Sequence, residues 1–264
     1  MTARWSLLLV LAAGLAGCGT GRPGEEATAP QEIVVFAASS LTDAFTELAE
    51  AFEVEHPAAR ILLHFAGSSQ LAAQLAEGVP ADVFASANPE QMQAAISAGR
   101  IDPGAGAIFV SNRLTIIVPT GNPAGVASLE DLARPGILLI LAVEGVPVRA
   151  YTDEIAAGLG TGFQEGFYGN LVSEEENVRQ VVAKVALGEA DAGIVYTSDV
   201  SPDIAGQVAQ IAIPEVRNVV ALYPIAPLAD SPHPEWAQAF VDFVLSPAGR
   251  EILARRGFGP PPSR

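Results

Sequence analysis

Two serine pairs stand where this chain can do chemistry. Ser39-Ser40 follows the apolar run Ile33-Val34-Val35-Phe36, and Ser68-Ser69 follows Ile61-Leu62-Leu63-His64-Phe65 through Ala66-Gly67. After the first pair, Leu41, Ala44, Phe45, Leu48, Ala49 and Phe52 recur at helical spacing; after the second, Leu71, Ala72, Leu75 and Ala76 do. A strand that hands over to a helix through such residues sets hydroxyls beside the unpaired N–H groups of the helix start. The helix dipole is positive there, and anions bind. Parallel strands end on the same side of a sheet, so two such junctions in succession face one edge. The plainer alternative is helix capping, with Ser40 as N-cap and Asp43 as the acidic partner of a capping box.

Composition narrows the ligand's nature. The chain has 264 residues, half of them apolar, enough for one large or two modest domains with a full core. Its net charge is −16 and Lys184 is its only lysine. No basic stripe exists to neutralise a phosphate backbone, which excludes nucleic acid as a partner. An anion must therefore be held locally, by N–H and O–H donors. There is no P-loop, no G-x-G-x-x-G opening a helix, no G-x-S-x-G and no H-E-x-x-H. His56, His64 and His233 show no metal-ligand spacing. A serine enzyme using Ser40 or Ser68 stays open only if a histidine reaches one of them in space.

The elements that must position these residues alternate. Strands are expected over 81–85, 114–119, 137–142, 190–196, 210–214 and 219–226. Helices are expected after Asn88-Pro89, Ser128 and Pro147, and near Trp236, Phe240, Phe243 and Val244. Another is expected over 173–187, capped by Ser173 with Glu174, Glu175 and Glu176 in its first turn. This predicts an α/β fold with a mainly parallel sheet, in two lobes with a cleft between them. Asp82 is expected to make local hydrogen bonds, and Glu144 to be exposed. Ahead of the fold, Arg4 and the apolar stretch 5–17 read as a signal segment, too short to span a bilayer. It ends in Leu15-Ala16-Gly17-Cys18, which resembles the lipobox of bacterial lipoproteins. Residues 1–17 are thus expected to be a lipoprotein signal peptide, Cys18 the lipidated residue, and 18–31 a flexible tether. Cys18 is the only cysteine, so no intrachain disulfide is possible.

Six segments, in order, carry a resemblance. They are Val35-Phe36-Ala37-Ala38-Ser39-Ser40-Leu41-Thr42, Phe65-Ala66-Gly67-Ser68-Ser69, Pro80-Ala81-Asp82-Val83-Phe84, Gly145-Val146-Pro147-Val148, Glu176-Asn177-Val178-Arg179 and Gly193-Ile194-Val195-Tyr196-Thr197-Ser198-Asp199. With the tail Ser246-Pro247 to Arg256-Gly257-Phe258, the chain resembles the molybdate-binding proteins of bacterial ABC importers from about residue 33 to 258.

The resemblance implies a type II periplasmic-binding-protein fold. Lobe 1 would comprise 32–112 plus 219–264 and lobe 2 would comprise 113–218, with crossovers near Asn112 and near 215–219. It implies a transport receptor, not an enzyme, with no cofactor. Its ligand would be the molybdate dianion, and tungstate is expected to follow. Ser40 and Ser68 would each give a hydroxyl and an N–H, Val148 and Val178 backbone N–H groups, and Tyr196 its phenol. Ser39 is assigned to the turn. The implied partners are the permease and its ATPase, and the membrane through lipid on Cys18. A monomer is expected, at the outer face of the cytoplasmic membrane or in the periplasm. Arg149 stands where many members of that family have Gly, and would either point to solvent or cover the anion. A tungstate-only or sulfate receptor is the alternative ligand choice. A carboxylate such as Glu144 entering the metal's coordination would mark a tungstate-type site.

Overall fold

The apolar run at 33–36 forms the middle of strand β1 (Gln31–Ala38), which is flanked by β2 (Ala59–Ala66) and β3 (Val83–Ala85), both parallel to it. This is a computed structural model, and it describes residues 30–202 and 204–262. The expected signal segment 1–17 and Cys18 lie outside the described residues. So does the expected tether, apart from Pro30 and Gln31, and Gln31 already opens β1.

After β1 a 3-10 turn over Ser39–Leu41 feeds α1 (Thr42–Glu55). α1 buries Ala44, Phe45, Leu48, Ala49 and Phe52, the face that their spacing predicts. Phe52 meets Phe240 edge-on, with ring centroids 5.3 Å apart at 90°. Burying one such side chain is worth roughly 1.5–3 kcal/mol. Phe240 lies on α7 (Pro234–Leu245), which with α8 (Pro247–Arg255) returns the C-terminal segment to the first part of the chain. α2 (Ser68–Ala76) and α3 (Pro89–Ser97) complete this half.

The two halves meet on β4 (Ala107–Pro119). Its residues 107–113 pair antiparallel with β9 (Val220–Pro227). Its residues 114–119 pair antiparallel with β7 (Ala192–Tyr196) on one side and β8 (Val208–Ala212) on the other. Beyond β7 come β5 (Leu139–Ala142) and β6 (Leu171–Glu175), both parallel. The order is β2-β1-β3-β9-β4-β7-β5-β6, with β8 beside β4. α4 (Pro147–Gly158), α5 (Thr161–Gly169) and α6 (Val178–Ala186) flank this second half.

Three expectations are corrected. The sheet is mixed: among the described residues four strand pairs are parallel and four antiparallel. The antiparallel pairs all involve β4 or β9, the strands nearest the passages between halves. The helix over 173–187 starts instead at Val178. Residues 171–175 are β6, and Asn177 caps α6 by accepting the Gln180 N–H at 3.2 Å. The acidic run serves the strand, not a helix dipole: Glu174 pairs with Arg149 at 2.5 Å and Glu175 with Lys184 at 2.6 Å. Around Ser128, the short helix is a 3-10 turn over Glu130–Ala133. Asp82 does serve as a hydrogen-bonding residue, but not a local one: it accepts from Val34 N at 2.7 Å and Ser231 Oγ at 2.5 Å, 48 and 149 residues away.

Candidate functional site

Ser40, Ser68, Val148, Val178 and Tyr196 all line one small cavity. Ser39, assigned only to the turn, lines it as well. Ser40 is the second residue of the turn that leads into α1, Ser68 the first of α2, Val148 the second of α4 behind Pro147, and Val178 the first of α6. Residues at such positions have N–H groups without a partner inside their own helix. Four helix starts from both halves of the sheet thus converge, each with a partial positive charge.

Neither serine caps its helix. Gly67 is the N-cap of α2, its N–H given to Gln70 Oε1 at 3.3 Å. Asp43 pairs with Arg179 at 2.8 Å, and no side chain caps the turn or α1.

The serine hydroxyls are oriented by their neighbours. Ser68 Oγ accepts the Ala87 N–H at 3.0 Å. Ser40 Oγ lies 3.1 Å from Tyr223 Oη. Tyr223 is itself held by Asn112, whose Oδ1 accepts the Arg113 N–H and the Thr197 hydroxyl, both at 2.9 Å, which turns its amide nitrogen to Ser198 Oγ at 2.8 Å and Tyr223 Oη at 3.5 Å. In the Ser40–Tyr223 bond either hydroxyl can give the proton. Ser68 Oγ already accepts a proton and keeps its own to donate.

Tyr196 supplies the clearest sign of a missing acceptor. It is buried, and its hydroxyl makes no hydrogen bond of good geometry among the described residues, although Tyr223 lies beside it, ring centroids 5.6 Å apart, and adds to the rise of its pKa. Burial pushes its pKa well above that of an ordinary phenol, so the group is a neutral donor. An unpaired buried hydroxyl costs about 1–3 kcal/mol, and a native structure usually gives it a partner.

No charged side chain lines the cavity. Arg149 neither faces solvent nor covers the site. It is 6 % exposed and turns away, donating to Ala142 O at 3.1 Å and Glu174 at 2.5 Å and pairing with Asp153 at 2.8 Å, beneath the Tyr168 ring at 5.4 Å. Glu144 is exposed, 3.9 Å from Arg149, and does not line the cavity. The histidines are elsewhere too: His64 packs on Phe36, His56 on Phe52, and His233 faces Asp82. Neither Ser40 nor Ser68 has a base beside it. Among the described residues no His/Cys/Asp/Glu cluster could hold a metal ion, and no helix is long and apolar enough to cross a membrane. A larger cleft shares Ser40, but its arginines are already paired: Arg179 with Asp43, Arg255 and Arg256 with Glu47.

The site includes residues that sequence reasoning left unassigned. Gly67 lay within a recognised segment without a role. Tyr223 and Asn112 gave no signal, because they reach Ser40 only through the pairing of β9 with β4.

The family model of bacterial extracellular solute-binding proteins matches residues 33–259. The molybdate-binding protein ModA of Mycobacterium tuberculosis H37Rv is 40% identical over 96% of this chain and 95% of its own length. Among solved structures, the periplasmic molybdate-binding protein of Azotobacter vinelandii superposes with a TM-score of 0.77 at 18% identity, covering 87% of this chain and 100% of the other. The sulfate-binding protein SubI of Mycobacterium tuberculosis superposes with a TM-score of 0.76 at 21% identity, covering 87% of each. At such identities these structures speak for the fold, two α/β lobes with the cavity between them. The converging donors and the whole-length match agree: the chain belongs to the bacterial extracellular solute-binding proteins, which serve transporters and are not enzymes.

Proposed function

We propose that the chain binds molybdate between its two lobes and delivers it to an ABC importer. The observation that carries this is the buried, unpartnered Tyr196 hydroxyl in a cavity that has donors and no charged residue. Ser40 and Ser68 give their hydroxyls and N–H groups, Val148 and Val178 their N–H groups, and Tyr196 its phenol. A dianion removed from water needs that many donors, since an uncompensated buried charge is very costly. Charge-assisted bonds to fixed donors supply the compensation. A fully ionised oxyanion suits such a lining. Phosphate, protonated near neutral pH, would have to place an O–H in a lining of donors with no carboxylate to accept it. Sulfate is rejected by size, and tungstate, nearly the size of molybdate, is accepted.

In the same proposal lobe 1 comprises 32–112 and 219–264 and lobe 2 comprises 113–218. The change of β4's partner between Arg113 and Leu114 supports the first boundary. The receptor is a monomer, held at the outer face of the cytoplasmic membrane by lipid on Cys18, and presents its closed form to the permease and its ATPase. Calorimetric titration with molybdate, tungstate, sulfate and phosphate tests the ligand. Tight binding of the first two alone is expected; sulfate binding as tightly as molybdate would overturn it. Unchanged binding in the double variant Ser40→Ala, Ser68→Ala would remove the site.

A further inference from the structure

Gly67 has φ −60° and ψ 137°, a conformation open to any residue. Its missing side chain is therefore not demanded by its own backbone. A Cβ there would lie 2.8 Å from the carbonyl oxygen of Glu176 and 3.6 Å from Cγ2 of Val146. Both belong to the opposite half of the sheet. The neighbours of all three are proposed donors: Ser68 follows Gly67, Val148 lies two residues beyond Val146, and Val178 two beyond Glu176.

We propose that Gly67 is a positioning residue for the bound oxyanion. Its bare Cα lets the start of α2 seat against the 176–178 turn of the other lobe, and this contact sets the span across which donors from both lobes reach one oxyanion. The inference rests on the oxyanion reading of the cavity. Two further bonds cross the same seam: Gln91 Nε2 donates to Gly145 O at 3.2 Å, and Tyr151 Oη reaches Ala87 O at 3.5 Å. Gly145 is a glycine for its own backbone, at φ +87°, and a Cβ there would meet nothing within 4 Å, so neither bond depends on a close approach to a bare Cα. At Gly67 the partner atom is backbone and cannot rotate aside. A methyl group there moves the walls apart by a few tenths of an ångström at one corner of the cavity. N–H···O bonds are good only over about 2.7–3.2 Å, so that displacement loosens Val178 N–H against a ligand held by Ser68.

The test uses the full chain and its Gly67→Ala variant, with calorimetric titration of molybdate and sulfate, thermal melts, and small-angle scattering with and without molybdate. The expected result is at least a tenfold loss of molybdate affinity and less compaction on adding molybdate. The ligand-free melting midpoint should not fall. Gly67→Ser should behave alike. Wild-type affinity and compaction in Gly67→Ala would overturn the inference. So would a lowered ligand-free midpoint or failure to fold, since the contact would then belong to the fold and not to closure. If the wild-type chain itself took up no molybdate, the oxyanion reading would fail instead, which is a separate outcome.

Discussion

Arg179 on α6 reaches Asp43 on α1 at 2.8 Å, joining the helix that begins with Val178 to the helix that follows Ser40. The pair lies just outside the cavity and links the two halves of the sheet. Both side chains are about 30 % exposed (28% and 31%), so water screens the pair and its contribution is modest. Asp43→Asn is expected to weaken molybdate binding by no more than about fivefold, in line with ~0.2–1 kcal/mol for exposed pairs, with little change in ligand-free stability. Calorimetry at low and high salt checks this: the loss should shrink as salt rises. A salt-independent loss would place the effect of Asp43 elsewhere.

Asp199 stands on the other side of Arg179 and gives a pH dependence. It is fully buried; one oxygen accepts the Tyr196 N–H at 3.0 Å, and the other has no hydrogen-bond partner and lies 3.8 Å from Arg179 Nε. Burial pushes its pKa from 3.8 up to about 7, against the pull of Arg179 and of the Tyr196 N–H, while Asp43 adds to the rise. The native state then binds this proton more tightly than the unfolded chain. Its contribution is greatest below pH 4 and is lost as pH rises through about 7. Glu47, held low by Arg255 and Arg256, acts with the opposite sign, so the wild-type curve alone is not enough. Asp199→Asn keeps an acceptor for Tyr196 and removes the titration. Urea unfolding at pH 5 and pH 8 should show a smaller stability difference from wild type at pH 5 than at pH 8, where the variant gains. Parallel pH profiles for the two proteins would reject the assignment.

Tyr196→Phe separates the ligand-free from the ligand-bound state. In the ligand-free chain it removes a buried hydroxyl that has no partner, so stability should hold or rise by up to about 1 kcal/mol. With molybdate present it removes a donor to a charged acceptor, worth ~1.5–3 kcal/mol, or roughly 10- to 150-fold in affinity. Thermal melts with and without molybdate read both at once. The variant's ligand-induced rise in melting midpoint should be clearly smaller. An equal rise would show that the phenol does not touch the ligand.

How much of this was legible in sequence depended on range. Ser40, Ser68 and Val148 could be read because each sits at a local handover whose polar and helical residues lie within a few positions. Val178 was named only through the family resemblance: the local pattern put it inside a helix expected over 173–187, whereas it is the first residue of α6. Glu174, Glu175 and Glu176 fit a helix's first turn as well as an exposed strand, and only the pairing of β6 with β5 decides between them. The antiparallel half of the sheet was hidden for the same reason: the direction of β4 against β9 is a property of the returning chain, not of either segment. Tyr223 reaches Ser40 across 183 residues, and Asn112 reaches Tyr223 across 111. No local pattern marks such a contact.

Arg149 tests the opposite proposition, that a charged residue beside a donor need not serve the ligand. It follows Val148 directly, yet its guanidinium is buried under Tyr168 and paired with Glu174 and Asp153. It also donates to Ala142 O, which fixes the end of β5 against α4. Arg149→Met keeps much of the stem's packing but leaves that carbonyl without its side-chain donor and two acidic groups without their cation. Those acids are 40% and 44% exposed, so water takes over part of the arginine's role. The loss should accordingly fall short of the 3–5 kcal/mol typical when one partner of a buried pair is removed, nearer ~1–3 kcal/mol. Because the guanidinium lies outside the cavity, molybdate affinity measured well below the variant's melting point should stay within about threefold of wild type, roughly 0.6 kcal/mol. Denaturant unfolding and calorimetry on the same samples check the two halves of this expectation. A large affinity loss with unchanged stability would mean that Arg149 swings over the anion when the ligand binds.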